Sequence, residues 1–193
     1  MLRALYDWVL HQAGRPYALW TLAAVSFVES SVFPIPPDVL LIPMILAAPH
    51  RAWLIAGVCT LASVAGGAAG YAIGWGLYET VGQPVLQFYG KADAFGELAA
   101  AYNSQGFWAV LIAGVTPFPY KVITIFSGLT ELNFGLFMAT SVLARGLRFF
   151  VVAALLRRYG APIRDFVEKR LGLVATVSVG LLLGGFAVAR YAL

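Results

Sequence analysis

The chain has 193 residues, is 61% hydrophobic and 11% charged, and has a mean hydropathy of +0.82. Soluble domains average about 45–50% apolar and about 25% charged residues, so this chain lacks the polar exterior that water requires. The net charge of +4 does not point to nucleic acid, because the basic residues flank apolar runs, and the single cysteine, Cys59, excludes a disulfide or thiolate metal cluster within one chain.

The expected class is an all-α integral membrane protein of one compact domain. Residues 1–16, MLRALYDWVLHQAGRP, place Leu2, Leu5, Tyr6, Val9, Leu10 and Ala13 at helical spacing. With Asp7 in their midst they read as an amphipathic interfacial helix rather than a signal peptide. The single transmembrane domain then covers 17–193, with apolar regions at 17–48, 52–78, 107–130, 133–157 and 173–189. A moderately polar stretch, Glu79–Gln105, and a basic one, Arg157–Arg170, separate them.

The region 17–48 is interrupted at FPIPP, with Pro34, Pro36 and Pro37, and the region 107–130 at TPFPYK, with Pro117 and Pro119. Each proline removes an N–H and biases its predecessor away from helix. As helices, Tyr17–Val32 would be about 24 Å long and Asp38–Ala48 about 16 Å, against a hydrocarbon core of about 30 Å. The expected arrangement is therefore a pair of re-entrant hairpins, 17–48 and 107–130, plus about three transmembrane helices at 52–78, 133–157 and 173–189. Irregular backbone at that depth requires protein or a wet cavity around it.

FPIPPDVLLIPMIL (33–46) aligns without gaps on TPFPYKVITIFSGL (116–129), bringing Pro34 onto Pro117, Pro36 onto Pro119 and Asp38 opposite Lys121. Each segment is followed by a continuous span, which reads as an internal repeat. If both hairpins are re-entrant, Arg3, Arg15, Arg51 and the Arg157–Arg170 cluster share one side, and the hairpins enter from opposite faces as an inverted repeat. Full spans would merely exchange the sides of Arg51 and Lys91; the arm lengths favour re-entry.

The charges inside these apolar regions are the candidate site. A central charge costs about 2.5–3.5 kcal/mol on insertion scales, so Glu29 needs a partner or a wet cavity. It is either a proton-coupling acid or a structural carboxyl bonded to opened backbone. Asp38 is either a second such acid or the N-cap of its arm. Lys121, at the start of its own arm, would favour an anion together with the helix terminus, or would neutralise Asp38. Arg145 and Arg148, three apart and on one face, suit bidentate phosphate recognition, or form permanent ion pairs with Glu29 and Asp38.

Gly66, Gly70 and Gly74 form a small-residue stripe that reads as close helix packing. Arg157, Arg158, Arg164, Lys169 and Arg170 read as orienting charges that contact anionic lipid heads. His11 and His50 have no matching metal-ligand partner. With no nucleophile–base arrangement, zinc spacing or phosphate-binding glycine loop in the sequence, neither an enzyme nor a cofactor or metal is expected.

ESSVFPIPPD, AGGAAGYAIGWGLY, GVTPFPYKVITIFSGL and SVLARGLRF together resemble the DedA family, the VTT-domain or SNARE-associated Golgi-type membrane proteins, over roughly residues 17–160. The PFPYK and RGLRF segments look like its small YqaA-like branch. The resemblance places Glu29 and Asp38 on the family's acidic positions, and Lys121 where a basic residue, commonly arginine, follows the second proline turn. Many members carry another arginine just before that turn; here Ala113, Gly114 and Thr116 stand in the neighbourhood, leaving Arg145 and Arg148 to supply the cation. The resemblance implies movement of lipid across the bilayer: return of undecaprenyl phosphate in bacterial members, phospholipid scrambling in eukaryotic relatives, and dependence on proton-motive force.

The expected function is thus a flippase or scramblase in a bacterial inner membrane, with membrane lipids and protons as partners, nucleic acid excluded and a homo-oligomer left open. Lys121, Arg145 and Arg148 would hold the head-group phosphate while Glu29 and Asp38 exchange protons. A proton- or cation-coupled transporter of a small solute, and a non-transporting assembly factor with structural charges, are the alternatives.

Overall fold

The computed structural model describes residues 17–32, 36–88, 92–116 and 118–169. The expected interfacial helix at 1–16, the span at 173–189, and Pro34 and Pro117 lie outside them. The described residues form helices and turns without a strand: α1 (Ala18–Ser31), α2 (Asp38–Ala47), α3 (Ala52–Leu77), α4 (Gln83–Phe88), α5 (Ala92–Ser104), α6 (Gly106–Val115), α7 (Tyr120–Leu129) and α8 (Phe134–Lys169). A 3₁₀ turn, Pro49–Arg51, leads into α3, and a π turn, Tyr78–Gly82, leaves it.

The prolines set the breaks. Pro37 stands at the N-cap of α2, with φ −65° preset for a helix start. Thr116, which precedes Pro117, is extended at ψ 169°, the conformation a following proline imposes, and α6 ends there. The four arms are correspondingly short: α1, of 14 residues, is about 21 Å long, and α2, α6 and α7, of 10 each, about 15 Å. Two helical segments among the described residues are long and apolar enough to cross a bilayer, Pro49–Thr80 and Phe134–Gly160. At the end of the second, α8 is kinked at Tyr159 (φ −119°, ψ 16°), three residues before Pro162, whose ring cannot follow a regular turn.

Side-chain contacts fix the relative directions. Trp53 stacks on Phe150 and Tyr71 packs on Phe134, so α3 and α8 run antiparallel. Ser26 meets Cys59 and Ser30 meets Ser63, so α1 runs parallel to α3. Asp38 meets Arg148 and Leu46 lies beside Gly160, so α2 runs parallel to α8 and opposite to α1. In the second half, Gly114 packs on Ala144, aligning α6 with α8. Thr124 meets Gly70 and Ile125 meets Gly74, which aligns α7 with α3. Each half therefore contributes two opposed arms and a long helix. The first arm lies on its own long helix, and the second arm lies on the long helix of the other half.

The glycine stripe makes this exchange feasible. A Cβ on Gly66 would run into the Phe27 carbonyl, one on Gly70 into Thr124, and one on Gly74 into the Ile125 carbonyl. From α7, a Cβ on Gly128 would meet the Tyr71 carbonyl in return. Without side chains at these positions the backbones approach closely, the packing expected of small-residue stripes in lipid.

The interval between the halves has a structural task that its polar composition did not reveal. From α5, Tyr102 hydrogen-bonds Ser127 Oγ at 2.8 Å, and Asn103 Nδ2 donates to the Thr130 carbonyl at 2.7 Å. Burial pushes the Tyr102 phenol above its ordinary value, while the bond to Ser127 pulls the other way. The end of α7 is a Schellman turn: Leu132 N–H donates to Ser127 O and Glu131 N–H to Gly128 O. Glu131 takes the left-handed position (φ 54°) that glycine usually fills.

Candidate functional site

Ser63 lies near the middle of α3, and Arg145 near the middle of the apolar part of α8. They meet there because the two long helices are antiparallel. Arg145 is 1% exposed, the largest fully buried side chain among the described residues. Its Nη2 donates to Glu29 Oε2 at 3.1 Å and its Nε to Ser63 Oγ at 2.6 Å. The guanidinium lies 4.7 Å from the Tyr120 ring centroid and 4.6 Å from that of Phe149, a cation–π environment on both counts. Tyr120, itself buried at the start of α7, donates its hydroxyl to Ser141 Oγ.

Glu29 reaches this point because α1 ends just beyond it, at Ser31. Its neighbour Ser30 hydrogen-bonds Glu29 Oε2 at 3.1 Å and Ser63 Oγ at 2.7 Å. On the opposite side the Ser30 carbonyl accepts from Thr124 Oγ1 at 3.1 Å. The buried charges are thus paired and hydrogen-bonded on several sides, which is what a low-dielectric interior requires of them.

One turn along α8, Arg148 ties the two breaks to each other. Its Nη2 donates to Asp38 Oδ2 at 2.6 Å, and its Nη1 to the Thr116 carbonyl at 2.9 Å. That carbonyl needs a side-chain donor. Residues 117 and 119 are prolines without N–H groups, and the extended Thr116 has left the helical ladder. This second pair is wetter: its side chains are 21% and 23% exposed, against 2% and 14% for Arg145 and Glu29.

Of the sequence-derived site residues, the structure brings together Glu29 with Arg145 and Asp38 with Arg148. Pro36, Pro37 and Pro119 sit where α2 and α7 begin. Lys121 does not neutralise Asp38, although the repeat aligns them. Its half-buried side chain forms no hydrogen bond or ion pair with the described residues, and Asp38 is held by Arg148 instead. The exchange of second arms is the reason: aligned positions begin different arms on different long helices and need not touch. Ser30, Ser63, Tyr120 and the Thr116 carbonyl were not singled out from sequence. A faint signal existed, since Ser26 and Ser30 are four apart, as are Cys59 and Ser63, marking matched helix faces.

A family model, the VTT domain, matches residues 35–158, a span that begins inside the first break and contains all three cations. The chain belongs to the VTT-domain, or DedA, family. Relatives carry the match over most of their length. An uncharacterized protein of Haemophilus influenzae is 35% identical over 168 residues, covering 85% of this chain and 87% of that protein. An uncharacterized homologue from Histophilus somni is 34% identical over the same coverage. No solved structure matches the chain. Membership accords with the apolar composition and with the two long apolar helices of the VTT domain described above.

Proposed function

We propose that this VTT-domain protein is a lipid translocase of a bacterial inner membrane, moving undecaprenyl phosphate or another anionic phospholipid between leaflets. One observation carries the reading: two carboxylate–guanidinium pairs lie beside interrupted helices, about halfway along helices long enough to span the bilayer. Intramembrane ionisable groups mark substrate or proton pathways by default, because their burial is costly. The four short arms then act as two re-entrant hairpins entering from opposite faces, with the prolines at their tips.

In this reading the lipid tails stay in the bilayer while the head group crosses between the hairpins. Lys121, unpaired among the described residues, meets the phosphate first. Arg148, partly exposed, exchanges Asp38 for a phosphate oxygen pair, a fit the planar guanidinium favours. Protonation of Asp38 or Glu29 removes the competing carboxylate charge and frees the arginine for the head group. A proton gradient would therefore drive the exchange in one direction. The chemistry is displacement and re-pairing of charges, without a covalent step.

Purified protein in liposomes holding labelled undecaprenyl phosphate, with phospholipid as the comparison, tests the reading. We expect translocation faster than in protein-free liposomes, dependent on a pH gradient and lost in Glu29→Gln. Lipid movement no faster than in protein-free vesicles, with flux of an added small solute instead, would assign the carboxylates to a solute transporter. Topology has its own check. Cysteines placed at Arg51 and Lys91 should label from the cytoplasmic and outer faces respectively; the reverse pattern means full spans.

A further inference from the structure

The hydrogen bonds around Glu29 have a forced direction. Arg145 Nε can only donate, so Ser63 Oγ accepts from it at 2.6 Å. Ser30 has one hydrogen and the Glu29 carboxylate can only accept it, so across the 2.7 Å pair Ser63 Oγ donates to Ser30 Oγ. Ser30, having accepted, donates its own hydrogen to Glu29 Oε2 at 3.1 Å. Arg145 Nη2 closes the ring by donating to the same Oε2, also at 3.1 Å. Arg145, Ser63, Ser30 and Glu29 thus form a one-way circuit whose two ends converge on one carboxylate oxygen. The other, Oε1, receives no hydrogen bond from the described residues, and the Glu29 side chain keeps 14% exposure.

We propose that Ser30 and Ser63 are positioning residues of the Glu29–Arg145 pair, pinning Oε2 to Arg145 and presenting Oε1 as the oxygen that accepts a proton. This assignment deepens the translocase reading and rests on it for its link to transport. The step is a simple protonation: an O–H bond forms on Oε1 with a proton from the aqueous phase, and Oε2 becomes the carbonyl oxygen. Arg145 then loses its counter-charge but keeps its bond to Ser63, so the cation stays aimed while becoming free for an anionic head. Both serines are fully buried, so water does not substitute readily for either hydroxyl. Among the described residues, the other titratable or charged groups around the circuit are Cys59 on α3, Tyr120 at the start of α7, Arg148 on α8 and Asp38 at the start of α2. None of these four hydrogen-bonds the Glu29 carboxylate.

The test is an infrared pH titration of full-length protein in lipid nanodiscs, following the protonated-carboxyl band that disappears in Glu29→Gln. Ser30→Ala removes a donor to the carboxylate, and Ser63→Ala takes away the hydroxyl that donates to Ser30 and accepts from Arg145 Nε. We expect both to move the titration midpoint upward by about one pH unit, the size of one lost charge-assisted hydrogen bond. Ser63→Thr, which keeps the hydroxyl, should return the wild-type midpoint. Ser26→Ala, which lies outside the circuit and loses a bond to the Cys59 carbonyl, should leave it unchanged. Coincident midpoints in wild type, Ser30→Ala and Ser63→Ala would overturn the positioning role. The pH profile of lipid translocation should move together with the infrared midpoint. If the band shifts while translocation is absent or does not follow, the serines keep their role and the translocase reading falls.

Discussion

At the first break, α1 and α2, the charged groups are carboxylates, Glu29 and Asp38; at the second, the cations Lys121, Arg145 and Arg148 lie on α7 and α8. The two halves share one plan of opposed arms and a long helix, yet neither could bury its own charges alone. Glu29 takes its partner from the second half, and so does Asp38. Complementary charge therefore makes the halves depend on each other: the exchange of second arms delivers Asp38 to Arg148, and the antiparallel packing of α3 on α8 delivers Glu29 to Arg145. The two pairs differ as well. Glu29–Arg145 is closed in by serines and aromatic rings, whereas Asp38–Arg148 opens partly outward and also holds backbone. The first reads as a pair that titrates in place, its arginine still held by Ser63, and the second as the pair that parts more readily.

Arg145→Met tests that contrast at its strongest point. It leaves Glu29 buried without its cation, and removing one partner of a buried pair costs about 3–5 kcal/mol. Adding Glu29→Leu should recover most of that loss, since an apolar pair of similar volume tolerates the site. Chemical unfolding in detergent micelles measures both variants. Arg148→Met should cost less, about 1–3 kcal/mol, because the more exposed Asp38 and the Thr116 carbonyl retain some access to water. If Arg148→Met proves the more damaging, the contrast between a deeply buried pair and a partly open one is wrong.

The charge partition itself can be broken by transplanting it. Asp38→Lys with Lys121→Asp reverses positions that the repeat aligns but the structure does not pair. We expect the double variant to insert but remain inactive in the liposome assay, since the new ammonium at the start of α2 would face Arg148 without a counter-charge. Restored translocation would show that Asp38 and Lys121 form a working pair. The smallest effect on stability belongs to Lys121→Gln, within about 0.5 kcal/mol, as for a residue without a partner among the described residues. Retention of phosphate-bearing lipid in native mass spectrometry should nonetheless fall several-fold. Unchanged retention would remove Lys121 from the head-group path.

Composition by itself determined the solvent: a chain this apolar with so few charges must bury its backbone polar groups in helices within lipid. The prolines determined where the arms stop, because a missing N–H and a restricted predecessor act locally, as Thr116 illustrates. The cost of charge in an apolar run likewise marked Glu29, Asp38, Arg145 and Arg148, and the glycine spacing marked the contact face of α3. Which carboxylate meets which guanidinium was decided by tertiary structure alone. That choice depends on α3 packing antiparallel to α8 and on α2 crossing to α8, and no local rule contains such packing. Lys121 shows the consequence, since the repeat sets it opposite Asp38 while the fold leaves them unpaired. Ser30 and Ser63 show the same limit from the other side. A serine in a helix is ordinary until packing removes its water and leaves a neighbouring side chain as the remaining partner for its hydrogen.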